Sequence, residues 1–213
     1  MYIPKHFEVT NINAIHELIL EYPLATLVTT SANGLNANHI PMHITATPEP
    51  YGTLRGHVAR ANPLLEDINV ENQSLAIFHG PNAYITPSWY ETKKEHGKVV
   101  PTWNYVVVHA YGNLQIVDKP EWLRTQIEAL TDQNESQFSE PWAITDAPVE
   151  FTEKLFESIV GIEMKITKLV GKWKVSQNQP PQNRESVIEG LNKDKQLGAS
   201  KMAELVKESH KII

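Results

Sequence analysis

Four phrases hold the residues that could do chemistry. GHVARANP at 56–63 joins a Gly, an Arg and an Asn to the start of a short helical pattern, directly after an extended segment. That combination turns a backbone sharply and aims N–H groups and a guanidinium at a phosphate. Arg60 is the charged donor, with His57 before it and Asn62 after it. The plain alternative is an ordinary turn with an exposed Arg and an Asn cap ahead of Pro63. AYITPSWY at 83–90 and VPTWNY at 100–105 read as strand ends dense in aromatic, hydroxyl and amide groups. Thr102, Trp103 and Asn104 suit the face and edge of a flat heteroaromatic ring, or form a strand start whose Trp is core. KWKVSQN at 172–178 adds Lys174 and Gln177, which reach an anionic or carbonyl-rich ligand or else end a solvated strand over a core Trp173.

Other chemistries find no residues to carry them. The chain has no Cys, so disulfides, thiolate metal sites and Cys nucleophiles are excluded. The sequence contains neither G-x-x-x-x-G-K-[ST] nor G-x-G-x-x-G, and Ser88 lacks a G-x-S-x-G setting. His39 and His43 stand four apart, but on an alternating segment they lie about 13 Å from each other, too far to share a metal. The net charge is −6, with 19 Lys and Arg against 25 Asp and Glu and no long basic run. Non-specific nucleic-acid affinity comes from cations neutralising phosphates, so charge does not support DNA binding. No stretch approaches the roughly 18 apolar residues that span a bilayer. The first residues lack the apolar run of a signal peptide, so a cytoplasmic location is expected.

The elements that must position these phrases are short and turn-rich. Residues 12–22 place Ile15, Leu18 and Ile19 at helical spacing, and Pro23 ends that helix. Residues 25–30 form a strand, with an Asn33-Gly34 turn after it. Ile40, Met42 and Ile44 alternate along the next strand, and Pro41 marks it as an edge or a bulge. A third strand covers 54–58, and Asn62-Pro63 opens a short helix to about Ile68. Residues 75–78 and 83–86 read as two short pieces around a Gly80-Pro81-Asn82 turn, and ETKKEHGK at 91–98 as an exposed charged loop. A long strand or two fills 103–117. Asp118 with Pro120 then starts a helix that continues through Trp122, Leu123, Ile127 and Leu130. After polar, irregular residues 131–148 come a helix at 149–160 and a strand carrying Ile162, Met164 and Ile166. Two amphipathic helices, roughly 184–192 and 198–210, close the chain. Hairpin-spaced strands with appended helices point to a mainly β, α+β architecture, an antiparallel barrel rather than a doubly wound sheet. One domain over 1–213 is expected, with 182–213 as its helical extension.

MYIPKHF, GHVARANP, FHGPNAYITPSWY, VPTWNYVVVHAYG and KWKVSQN occur in one order from residue 1 to about 192. On those phrases the chain resembles the PaiB family of FMN-binding negative transcriptional regulators. The resemblance implies an antiparallel FMN-binding split β-barrel with peripheral helices, usually a homodimer with FMN where the subunits meet. In similar oxidases a Ser-Arg-Lys turn holds the flavin phosphate. Here the matching turn is Ala59-Arg60-Ala61, where only the Arg agrees, so Asn62, His57 or a residue from elsewhere takes the place of the missing Ser and Lys. The implied FMN contacts are His57, Arg60, Asn62, Thr102, Trp103, Asn104, Lys174 and Gln177. The resemblance implies a flavin-dependent or flavin-sensing transcriptional regulator. An FMN-dependent reductase or oxidase of a small substrate is the second reading, and haem handling a third. The closing helices mix both charge signs, unlike a basic recognition helix.

Overall fold

The computed structural model describes residues 1–31, 34–68 and 71–209. In chain order its elements are β1 Glu8–Val9, α1 Ile12–Glu21, β2 Leu24–Ser31, β3 Gly34–Pro41, β4 His43–Thr45, β5 Thr53–Ala59, α2 Leu64–Asp67, β6 Gln73–Ile85, α3 Thr92–His96, β7 Thr102–Val117, α4 Pro120–Glu135, α5 Val149–Glu157, β8 Ile159–Lys174, α6 Pro181–Lys193 and α7 Ala199–Glu208. The eight strands form one sheet in the order β3-β2-β6-β7-β8-β5-β4, with β1 on β8. The antiparallel sheet with peripheral helices is the expected fold class. By internal contacts the chain divides into two compact units.

One unit comprises Ile12–Phe78 and His109–Leu169. Here α1 buries Ile15, Leu18 and Ile19. It stops at Glu21 because a residue just before a proline avoids the helical region. β2 and β3 pair from Leu24↔Pro41 to Ser31↔Gly34. Asn33 of the expected turn lies outside the described residues. Ile40, Met42 and Ile44 are all buried, as their alternation requires. The segment is not one strand, however. It breaks at Met42, whose N–H donates to the Pro23 carbonyl at 2.9 Å. β3 therefore serves β2 while β4 serves β5. β5 pairs with β8 from Thr53↔Lys165 to Ala59↔Ile159.

The other unit comprises Met1–Asn11, His79–Val108 and Val170–Ile213, described as far as residue 209. β1 joins β8 through Glu8↔Lys172 and Val9↔Gly171. α6 and α7 bury Val187, Leu191, Met202 and Val206. Gly190 admits the Trp89 ring, since a Cβ there would meet Trp89 Cδ2 at 2.3 Å.

Two expectations are corrected. The Gly80-Pro81-Asn82 turn is absent, and residues 73–85 run as one strand. A proline's fixed φ is compatible with extended backbone, so Pro81 bends nothing by itself. The ETKKEHGK loop contains a five-residue helix, α3, closed by Gly97 at φ 65°. Its Thr92 is buried, which a wholly exposed loop would not give.

A close approach locks α4 to β8. Trp122 lies against Gly161, where an added Cβ would stand 2.3 Å from Trp122 Cζ3 and 2.8 Å from the Val117 carbonyl oxygen. Neither a packed indole nor a strand carbonyl yields cheaply. Gly161→Ala is expected to lower stability by about 1–3 kcal/mol. Urea unfolding checks this, and an unchanged midpoint would show that the indole moves freely.

Candidate functional site

The Arg60 turn belongs to the larger unit, at the exit of β5. Arg60 N–H donates to the Ser158 carbonyl at 2.9 Å, and Asn62 Oδ1 accepts from Leu64 N–H at 2.9 Å to open α2. Asn62 Nδ2 reaches Asn38 Oδ1 at 3.2 Å. His57 Nδ1 bonds Gln126 Oε1 on α4 at 3.0 Å. The Arg60 guanidinium is already engaged. Nη1 and Nη2 grip both Asp118 oxygens at 2.9 and 2.6 Å, and Nε donates to the Glu157 carbonyl at 2.8 Å. These hydrogen bonds, helped by direct attraction, raise the Arg60 pKa and hold the Asp118 carboxyl below the usual carboxylate range. Both side chains are half exposed.

The other unit gathers the remaining candidates. Alternation along β7 puts Thr102 and Asn104 on one face and Trp103 on the opposite one. Trp103 is 53% exposed and packs edge-on against Tyr84, with 5.8 Å between ring centroids, so the core-Trp alternative fails. Alternation along β8 likewise puts Lys172 and Lys174 together, with Trp173 turned into the core. Lys174 Nζ donates to Thr102 Oγ1 and, at 2.8 Å, to the Trp103 carbonyl. Burial lowers the Lys174 pKa; Tyr105 opposes that shift and the Lys172 ammonium adds to it.

Asn104 is 1% exposed, and its Nδ2 donates to Ser176 Oγ at 2.8 Å. Among the described residues its Oδ1 has no partner. Whichever way the amide is turned, one of its polar atoms stays open. Ser176 holds φ at 62°, a left-handed conformation that costs a non-glycine residue on the order of 1–2 kcal/mol. Gln177 has a local task, accepting from Val175 N–H at 2.8 Å and donating to the Trp173 carbonyl at 2.6 Å.

Thr102, Asn104 and Lys174 line a cavity of about 460 Å³ with Tyr90, Ser176 and Asn183. Trp103 and Gln177 are not in that lining. Sequence reasoning missed Asn183, which donates to Thr92 Oγ1 at 3.0 Å and accepts from Thr92 N–H at 3.1 Å. It also missed Ser176 and Asp118. Nothing in the local pattern marked Asn183 or Ser176, and Asp118 reads from the sequence only as part of a helix start. Among the described residues no group of three His, Asp or Glu could hold a metal ion.

Residues 1–168 match the family described as "Putative FMN-binding domain". The chain belongs to that family. FMN is accordingly its cofactor, and the split-barrel class expected from the sequence holds. The Bacillus subtilis "Protease synthase and sporulation protein PAI 2" is 32% identical over 211 residues, 99% of each chain, in line with the PaiB resemblance. An uncharacterized protein of Emericella nidulans is 37% identical over 227 residues, 90% of each chain. Among solved structures, the FAD and heme binding protein of Mycobacterium smegmatis has a TM-score of 0.61 at 15% identity, covering 86% of this chain and 80% of its own. At that identity the likeness is one of fold.

The cavity residues fit a flavin. The ring edge presents an N–H between two carbonyl oxygens, and an open amide oxygen beside an ammonium and a hydroxyl is the matching set. The volume lies within the range of small-molecule sites.

The Arg60–Asp118 pair gives a separate expectation. A lowered carboxylate pKa adds stability above the ordinary Asp value and loses it as pH falls through the lowered value. Because both groups are solvated, the effect is screened. Asp118→Asn should leave the urea midpoint at pH 7 unchanged within error. A clear drop would show that the pair braces β5 against α4.

Proposed function

We propose that this chain is a flavoprotein whose cavity at Asn104 and Lys174 receives the FMN ring and serves redox chemistry on a small molecule. The carrying observation is the buried Asn104 side chain in the cavity lining, whose Oδ1 has no partner among the described residues. Bound FMN supplies the hydride and electron chemistry. The chain's part is to hold and tune it. Asn104 reads the ring edge through its open amide atom. Lys174, fixed by Thr102 and the Trp103 carbonyl, sets a positive charge at the ring. The turn at Ser176 keeps the Asn104 amide in place.

Purified protein loaded with FMN should be yellow, with the ligand identified by absorbance and mass. Asn104→Leu and Lys174→Met should each weaken FMN by roughly tenfold, the equivalent of losing one contact of about 1.5 kcal/mol. Lys174→Met should change the thermal midpoint of the apoprotein only slightly, because the hydrogen bonds lost between the two strand ends are offset by removal of a poorly solvated charge. Equal FMN affinity in both variants would place the ring elsewhere. Arg60, read from the sequence as the phosphate contact, is tested by itself: FMN affinity in Arg60→Ala equal to the parent's removes that assignment.

A second reading, carried by the PaiB resemblance of the sequence phrases, is a flavin-sensing homodimeric regulator; the Bacillus relative is named for protease synthesis and sporulation. The acidic balance of the chain argues against strong direct DNA contact. No described helix is long and apolar enough to cross a membrane. Light scattering should give twice the 24.1 kDa chain mass. A salt titration on promoter and scrambled fragments should find only weak, non-selective binding. Nanomolar, promoter-selective binding at about 150 mM salt would make the regulatory reading primary.

A further inference from the structure

The cavity carries more positive charge than the ring-facing Lys174 accounts for. Its lining contains Lys174, Lys98 and His96 and no carboxylate. That is notable in a chain with 25 Asp and Glu and a net charge of −6. Lys172, on the same face of β8 as Lys174, is 8% exposed. Its ammonium donates to the Tyr2 carbonyl at 3.2 Å and lies 5.1 Å from the Tyr105 ring centroid, with no carboxylate in the described contacts. Two ammonium groups thus share one strand face without a counter-charge, an arrangement that an anion relieves.

The mouth of the cavity repeats the pattern. Lys98 N–H donates to His96 Nδ1 at 3.0 Å. In the neutral ring the proton therefore sits on Nε2, and His96 has a donor to offer. The Lys98 ammonium makes no hydrogen bond or ion pair among the described contacts. Its neighbours differ: Lys94 is paired with Glu91 at 2.9 Å, and Lys93 reaches Ser88 Oγ at 3.4 Å. The segment is also pinned. Asn183 on α6 exchanges two hydrogen bonds with Thr92, and Gln182 donates to Glu95 Oε1 at 2.9 Å. The two uncommitted donors thus stand on an anchored wall, so less ordering entropy opposes binding.

We infer that the cavity mouth binds an anionic oxygen group, a phosphate or a carboxylate, through Lys98 and His96 above Lys174. The inference rests on the cavity being the flavin site. Two sources share this chemistry: the phosphate of FMN itself, and the anionic group of a second small ligand that meets the ring. A second ligand makes the substrate class small organic anions.

The test compares the parent, a Lys98→Gln/His96→Gln variant, and Lys94→Gln as a charge control off the cavity. Apoprotein is titrated with FMN and with riboflavin by flavin fluorescence. FMN-loaded protein is titrated with inorganic phosphate and with succinate at constant ionic strength by flavin absorbance. A roughly tenfold loss for FMN with riboflavin unchanged assigns the mouth to the FMN phosphate. Unchanged flavin affinities, with the phosphate or succinate response weakened about tenfold, assign it to a second ligand. If the double variant matches the parent in both titrations, or if Lys94→Gln has the same effect, the inference is overturned. Should the parent bind neither flavin, the flavin reading fails on its own. The mouth is then judged by whether inorganic phosphate raises the parent's thermal midpoint more than the double variant's; an equal response overturns it.

Discussion

A lysine ammonium drawn partly out of water governs the arrangement of the cavity. Lys174 lies at the end of β8 and spends its donors on Thr102 Oγ1 and the Trp103 carbonyl at the start of β7. A half-buried ammonium without such partners would lose its proton or pull its strand toward solvent. With them, the two strand ends are tied together, and Asn104 comes to lie beside Ser176. The uncommon backbone at Ser176 follows from the same need, because the chain must turn while its hydroxyl still meets the Asn104 amide. The amide atom left open after that contact is what supports the proposed binding role of the cavity, since buried polar atoms are otherwise paired.

The Arg60 turn illustrates the opposite economy. Its guanidinium is satisfied by one exposed carboxylate and one carbonyl, all at the surface. A phosphate arriving there has to displace Asp118 from a bidentate pair, whereas the Lys98 ammonium has no side chain to give up among the described contacts. Water screens both locations, yet the two differ in what must be given up. That difference separates a cation already committed to the fold from one still available to a ligand.

Much of the fold was legible in the residues. Period-2 burial at Ile40, Met42 and Ile44, the stop at Pro23, the start at Pro120 and the α6–α7 pair all follow from local pattern. The failures have a shared cause. Gly80-Pro81-Asn82 has the composition of a turn, but residues 73–85 run through it as one strand. The charged run at 91–98 looks fully solvated, but Asn183, 91 positions away, anchors Thr92 beneath it. Local composition reports what a segment tolerates; long-range pairing selects among those conformations.

The sequence by itself determined the kinds of group available, namely one Arg turn, one Thr-Trp-Asn strand start and one Lys-rich strand end, and ruled out thiol and nucleotide-loop chemistry. It also determined which side chains share a face, because strand alternation is a property of the backbone. Only the tertiary structure decided which of those groups are free. Arg60 found Asp118, 58 positions on, and Gln177 closed its own turn, while Asn104 Oδ1 was left without a partner among the described residues. Whether a polar atom is satisfied depends on residues brought together across the chain, and no local spacing records that.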